Sequence, residues 1–390
     1  MNRYKINLAE NTISKEELYE LADWIKSGAR LTKGELTEKF ENEFSKYIGN
    51  KYSVFVNSGS SANLLMIYSL LESGMLKNKK AIIPAISWIT TLSPFIQLGF
   101  KPYLCESEKD ALGIDPNYFE DLCKKHNPSI LILVHVLGHP NKMNEILEIC
   151  NKYNVILLED ACEALGTVFN HKKLGSIGLA GSFSFYYGHH ISTIEGGMVT
   201  TNNRELYNTM LSIRSHGWGR DIESYYIKPL MKDYDIDEFR EFYTFYYPGF
   251  NLRSTDLNAF LGLSQIKNMN NIAKKRENNF NCYMHYLSNK FYYQKSEYDN
   301  LSSFAFGTFV KNRLDVYKYL KKGGVETRPL ICGSMGKQPF WIKKYGETSF
   351  PVADLVHNNG IYLPNHLNLD EDKIKYICEL FLDIAEPIKV

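Results

Sequence analysis

Neither sign of charge dominates this sequence, since 45 lysines and arginines stand against 44 aspartates and glutamates in 390 residues. Binding to a phosphate backbone calls for a basic excess or cluster, so nothing here points to nucleic acid. Long apolar runs are also missing, and no stretch approaches the roughly 20 residues of a membrane span. The N-terminal stretch mixes Lys5, Glu10 and Lys15 without the apolar core of a signal peptide, and the expectation is a soluble cytoplasmic protein. Seven cysteines (Cys105, Cys123, Cys150, Cys162, Cys282, Cys332 and Cys378) form no close pair, which predicts buried, reduced thiols. There is no internal repeat and no low-complexity tract.

The length suggests two domains with ample core. Ser14 followed by Glu16 and Glu17 reads as a capped helix start, and Leu36 to Tyr47 repeats the helical spacing. Tyr52 to Val56 reads as a strand that enters Asn57-Ser58-Gly59-Ser60-Ser61 and then a helix with an apolar face from Leu64 to Leu71. A small-residue turn between strand and helix presents free amides and a positive helix end, which suits a phosphate and equally suits an ordinary cap. Ala81 to Ile86 is a buried strand ending near Trp88, Lys101 to Leu104 another, and Ser129 to Val136 is apolar throughout, as in a parallel strand covered on both faces. A helix from Met143 to Tyr153 leads to Val155-Ile156-Leu157-Leu158-Glu159-Asp160-Ala161-Cys162-Glu163. Carboxylates at the end of a buried strand need partners, and either Glu159 or Asp160 suits a helix cap or a ligand.

The remainder is organised around Ser184 to Gly197. A short strand from Phe183 to Tyr187 runs into a turn carrying His189 and His190, and Gly196-Gly197 opens the next strand, Met198 to Thr201. Before it, His171 to Gly175 reads as a hairpin tip whose Lys172 and Lys173 are solvated. After it, Asp221 to Tyr247 is dense in charge and aromatics and reads as a surface excursion. A helix from Asp256 through Ile266 leads to a strand-like Phe304 to Val310 and a helix from Asp315 to Lys321.

From Leu8-Ala9-Glu10-Asn11 to Leu363-Pro364 the chain resembles the DegT/DnrJ/EryC1/StrS sugar aminotransferases. That resemblance implies an α/β fold, the PLP-dependent transferase fold of type I, aspartate aminotransferase-like. A large cofactor-binding domain with a mostly parallel sheet (1–255) would be followed by a smaller C-terminal α/β domain (256–390). It implies pyridoxal 5'-phosphate or pyridoxamine 5'-phosphate, with Gly59, Ser60 and Ser184 at the cofactor phosphate, Trp88 stacked on the ring, Asp160 on the ring nitrogen and Glu163 beside the ring. Asn251, in Gly249 to Asp256, would reach the phosphate of the other subunit, making a homodimer with shared sites. Arg328, in Gly323 to Pro329, would meet a sugar or nucleotide phosphate or a glutamate carboxylate, unless it is a plain surface arginine. His216 is a further substrate contact.

His189 stands where most members have lysine, as in a branch that removes a sugar hydroxyl. Imidazole cannot serve as a Schiff-base amine, so the resemblance implies a non-covalently held cofactor working as pyridoxamine phosphate. His189 would act as base and then acid in removing the C3 hydroxyl of a nucleotide-linked 4-keto-6-deoxyhexose, with glutamate as amino donor, for deoxysugar and surface polysaccharide synthesis. The related CDP-sugar branch is iron–sulfur dependent, and its clustered cysteines are absent here. Two adjacent histidines without further ligands make no metal site. The alternatives are an aminotransferase that tolerates histidine, a silent sugar-nucleotide-binding relative and a dehydratase of an unusual sugar. Intact Asp160, Ser184 and Asn251 argue against the silent relative.

Overall fold

The apolar runs of the first half pair into one sheet. In this computed structural model, which describes residues 5–388, β1 (Tyr52–Val56), β2 (Lys80–Pro84), β3 (Lys101–Cys105), β4 (Ile130–Val134) and β5 (Ile156–Asp160) come first. A short hairpin of β6 (Val168–Phe169) and β7 (Lys172–Lys173) follows, then β8 (Ala180–Ser184) and β9 (Gly197–Thr201). Seven of these, in the order β1-β9-β8-β5-β4-β2-β3, form the main sheet. β9 is antiparallel to β1 and β8, and the other ladders are parallel.

Side chains alternate across a strand, and both faces of this sheet are covered. Val54, Ile83, Ile130 and Ile132 enter one core while Phe55, Ile82, Leu131 and Leu133 enter the other. That is why β4 reads as an unbroken apolar run.

α1 (Lys15–Lys26) begins in the expected capping box, the Ser14 side chain accepting from the Glu17 amide and Glu17 reaching back to the Ser14 amide. The covering layers are built from α2 (Glu35–Ile48), α3 (Gly59–Glu72), α4 (Ile89–Gln97), α5 (Pro116–His126), α6 (Met143–Tyr153) and α7 (Arg204–Arg214). Leu65 and Met66 of α3 and Leu206 and Met210 of α7 fill the first core. Phe40 and Phe44 of α2, Phe119 of α5 and Ile146 of α6 fill the second.

After α7 the chain makes the expected surface excursion through α8 (Ser224–Asp233), where Phe239 is 91% exposed. α9 (Asp256–Ile266) lies along α2 and shares its core through Ala259 and Ile266. The Asp256 carboxylate accepts from the Gly34 amide (2.8 Å) and the Thr37 amide (2.9 Å), giving α2 the cap its own sequence lacks. α10 (Met269–Leu287) runs from that core at Met269 into a third around Phe280 and Tyr283.

The third core is closed by α11 (Arg313–Lys322) and by α14 (Glu371–Ile384), while α12 (Pro339–Tyr345) and α13 (Pro351–Asn359) pack back on the first core through Trp341 and Val352. Its sheet has the order β10 (Phe306–Phe309), β12 (Gly360–Leu363), β11 (Arg328–Pro329).

Two local expectations need correction. The strand expected through Tyr187 stops at Ser184, because the Phe185 amide makes a last bond to the Gly196 carbonyl (2.9 Å) and the chain then turns, leaving Tyr186 and Tyr187 exposed. Of the two hairpin lysines only Lys172 is solvated, since the Lys173 ammonium sits 4.6 Å from the Tyr47 ring centre. All seven cysteines are free, and among the described residues no helix is long and apolar enough to cross a membrane.

Candidate active site

The carboxyl ends of β1, β2, β5 and β8 point to one edge of the sheet, the edge at which parallel α/β sheets hold ligands. A cavity of about 410 Å³ opens there. Gly59, Ser60, Trp88, Asp160, Glu163, Ser184, His189 and Arg328 all line it, although they span 270 positions of sequence from 59 to 328.

Glu159 and Asp160 are separated by the alternation of β5. Glu159 turns away from the cavity and accepts from the amides of Gly175, Ile177 and Gly178 (2.9, 2.7 and 2.7 Å) and from His135 (3.1 Å). Burial alone would raise its pKa, but His135 and these amides hold it below the ordinary range. It caps the loop that leads into β8. Asp160, 6% exposed, turns into the cavity. Its Oδ2 accepts from Asn63 Nδ2 and Thr91 Oγ1, both at 2.8 Å, and its Oδ1 from the Cys162 amide at 3.2 Å. Three donors fix this carboxylate at the end of a buried strand, facing the cavity.

At the end of β1, Ser58 caps α3 by accepting from the Ser61 amide at 3.0 Å. Gly59 and Ser60 of the first turn line the cavity together with Ser184. The space is built for glycine: a Cβ on Gly59 would stand 2.5 Å from the Ser184 Cβ, and one on Gly197 would stand 2.3 Å from the Ser58 carbonyl oxygen. Backbone N–H groups at a helix start, with a hydroxyl opposite, form an anion cradle.

The loop after β8 brings His189 back over the cavity. Its Nδ1 lies 2.8 Å from the Cys162 carbonyl oxygen. A carbonyl only accepts, so Nδ1 carries the proton and Nε2 of the neutral ring is left with its lone pair. Burial and the Arg276 charge push the His189 pKa down, against the Cys162 carbonyl and Asp160, which pull it up. Glu163 accepts from the Leu137 amide (2.8 Å), and burial pushes its pKa up to about 7. Trp88, the residue before α4, is 55% exposed and lines the cavity. Among the described residues no lysine lines this cavity.

Arg328 on β11 lies 3.7 Å from Glu326 and lines both this cavity and an adjoining one of about 360 Å³ beneath the N-terminal segment. His190 is buried behind the site, its Nε2 donating to the Ser302 carbonyl at 3.0 Å. Asn251 and His216 are not brought to the cavity. Asn251 is exposed and accepts from Arg253 Nε (3.0 Å), and Nη2 of that guanidinium reaches His216 Nε2 (3.1 Å).

Sequence reasoning missed Asn63 and Thr91, which grip Asp160, and Phe304 and Tyr362, which line the cavity. Asn63 had a usable signal, four residues beyond Gly59 on the same helix. The Cys162 carbonyl had none, because a backbone acceptor leaves no mark on residue type.

A carboxylate for a ring nitrogen, an aromatic face, a helix-start cradle for a phosphate and an imidazole base together fit a phosphorylated pyridine cofactor. The comparisons agree. The model of the DegT/DnrJ/EryC1/StrS aminotransferase family matches residues 11–382. The GDP-4-keto-6-deoxy-D-mannose 3-dehydratase of Yersinia pseudotuberculosis is 33% identical over 380 residues, covering 94% of this chain and 96% of its own. The solved Escherichia coli GDP-4-keto-6-deoxy-D-mannose-3-dehydratase with bound hydrated PLP superposes with a TM-score of 0.88 at 30% identity, over 97% of this chain and 99% of that one. A GDP-4-keto-6-deoxymannose-3-dehydratase with a trapped PLP-glutamate geminal diamine also gives 0.88 at 30% identity, over 96% and 100%.

Proposed function

The chain belongs to the DegT/DnrJ/EryC1/StrS aminotransferase family, and from that premise we propose that it removes the C3 hydroxyl from a GDP-linked 4-keto-6-deoxymannose, using pyridoxamine phosphate and glutamate. The observation that carries this reading is His189, an imidazole facing a cavity that no lysine lines among the described residues. A sugar aminotransferase uses a lysine amine both to hold its cofactor and to move protons, and imidazole offers only the second. The 33% identical relative whose name carries the same reaction supports the choice of GDP and of the sugar.

When bound, the cofactor supplies an amine for the 4-keto carbon and a ring that takes up electrons. Gly59, Ser60 and Ser184 would hold its phosphate, Trp88 would cover one face of the ring, and Asp160 would keep the ring nitrogen protonated. Glu163, near half-protonation at neutral pH, would stand beside the ring. His189 would take a proton at Nε2 and return it from Nε2 to the departing C3 hydroxyl, which leaves as water. Arg328 would meet a phosphate of the nucleotide or the glutamate carboxylate.

Asn251 is exposed beside the partly buried Arg253 and His216, and in this reading Asn251 and His216 complete the site of a second copy in a homodimer. The seven free thiols support a cytoplasmic setting, where the nucleotide sugar would feed deoxysugar and surface polysaccharide synthesis.

Over one turnover the balance is sugar plus glutamate to deoxygenated sugar, 2-oxoglutarate and ammonia. The test is the stoichiometry of the last two. We expect one ammonia for each 2-oxoglutarate; 2-oxoglutarate formed without ammonia means transamination and overturns the reading.

A further inference from the structure

α10 carries a buried charge that the chemistry above leaves unused. Arg276 is 2% exposed, and its Nη1 donates to the carbonyl oxygens of Ser303 (3.3 Å), Phe304 (3.1 Å) and Asn365 (2.6 Å). Its Nε is buried without a partner, and among the described residues it makes no ion pair with a carboxylate. Burial pulls its pKa down to about 10, so it remains a cation at neutral pH. A buried charge balanced only by carbonyl dipoles is costly, and a neutral donor would serve equally well as a cross-link.

What distinguishes the place is its neighbours. The Arg276 guanidinium carbon lies 5.9 Å from the Phe304 ring centre, and the rings of His189 and His190 lie 5.3 and 5.8 Å from the same centre. His366 follows Asn365, whose carbonyl Arg276 holds. Each of these histidines has one nitrogen against a backbone carbonyl: His189 on Cys162 (2.8 Å), His190 on Ser302 (3.0 Å) and His366 on Asn7 (3.1 Å). Each therefore carries a proton on that nitrogen, a bond that by itself favours the charged ring, while burial first and then the Arg276 charge oppose protonation of all three.

We propose that Arg276 is the positioning charge of the active-site base: set beside Phe304 and lining the adjoining cavity together with His189, it keeps His189 neutral with Nε2 free before the reaction and makes the imidazolium a ready proton donor afterwards. This rests on the role given to His189 above. The other charged groups lining the cavities around His189 are Asp160 at the end of β5, Glu163 after it, Glu195, Arg328 on β11, and Glu10 and Glu326 in the adjoining cavity. The titratable Tyr186, Tyr187, Tyr362 and Cys162 also face it. Asp160 favours the imidazolium, but three donors already hold it. Glu163 is only part ionised at neutral pH, and Glu326 is engaged by the Leu8 amide (2.9 Å) and Arg328. Glu195 is exposed, so water screens its charge, whereas Arg276 is buried and, among the described residues, makes no ion pair.

The test reads the ring directly. Histidine-labelled protein without cofactor is titrated by long-range ¹H–¹⁵N spectra as wild type, Arg276→Gln and Arg276→Lys, with His189→Asn to assign the signal. Arg276→Gln should raise the His189 midpoint by about half a unit or more, and Arg276→Lys should leave it near the wild-type value. With substrate and cofactor, the acid limb of the kcat profile should move the same way. An unchanged midpoint in Arg276→Gln overturns the proposal. Should that variant not fold, the wild type decides: His189, His190 and His366 should all titrate below the ordinary histidine range, and a His189 midpoint at or above that range overturns it. None of these spectra depends on whether the sugar is deoxygenated or aminated.

Discussion

The Cys162 backbone is gripped from both sides, its amide donating to Asp160 Oδ1 at 3.2 Å and its carbonyl accepting from His189 Nδ1 at 2.8 Å. One peptide segment thus couples the carboxylate that lines the cavity to the tautomer of the imidazole beside it. Replacing His189 by Asn keeps a donor for that carbonyl and removes the titratable Nε2. We expect kcat to fall by about 10²- to 10⁴-fold with cofactor affinity changed only a few-fold, as read by steady-state kinetics and absorbance titration. Activity within about tenfold of wild type would remove His189 from the chemistry.

The cradle at α3 makes a steric prediction. A Cβ on Gly59 would stand 2.5 Å from the Ser184 Cβ, so Gly59→Ala should cost about 1–3 kcal/mol of stability through overpacking. Ser184→Gly in the same chain should recover much of that loss in urea unfolding, because it removes the colliding atom. Phosphate-dependent cofactor binding should stay weak in the double variant, which lacks the hydroxyl. Equal destabilisation with and without Ser184→Gly would show that the clash lies elsewhere.

Much of this site was legible because its parts sit at strand ends that the apolar pattern marks. β1 and β2 are short apolar runs that lead within a few residues to Ser58-Gly59 and Ser87-Trp88, β5 ends in Glu159-Asp160, and period-two alternation assigns Asp160 and Glu159 to opposite sides once one of them is placed. The support for these groups was less legible. Thr91 and Asn63 reach Asp160 from 69 and 97 residues away; nothing in a helical threonine announces such a partner, and Asn63 is marked only by its place one turn beyond Gly59. The Asp256 cap on α2 is a similar case, with donors 219 and 222 positions distant. β8 was read as too long because Phe185, Tyr186 and Tyr187 continue the strand composition while the chain is already turning toward the cavity.

His139 offers a pH prediction away from the site. It is buried against Phe280, its Nδ1 3.0 Å from Ser296 Oγ, and burial pushes its pKa down to about 3. The unfolded chain takes up the proton near pH 6.5 while the folded chain refuses it, so its contribution is complete above that pH and is lost as pH falls towards 3. The loss runs at up to about 1.4 kcal/mol for each unit. His139→Gln should flatten the fall in stability between pH 6.5 and 4 in denaturant titrations. An unchanged slope would mean that His139 is protonated in the folded protein.

The central claim is deoxygenation by a histidine where relatives of this fold transaminate. Mass spectrometry of the sugar nucleotide after incubation of wild type and His189→Lys with GDP-4-keto-6-deoxymannose, pyridoxal phosphate and glutamate tests it most directly. The account predicts that wild type yields a sugar lighter by one oxygen and that His189→Lys does not. A wild-type product that keeps its C3 oxygen and carries an amine would contradict it.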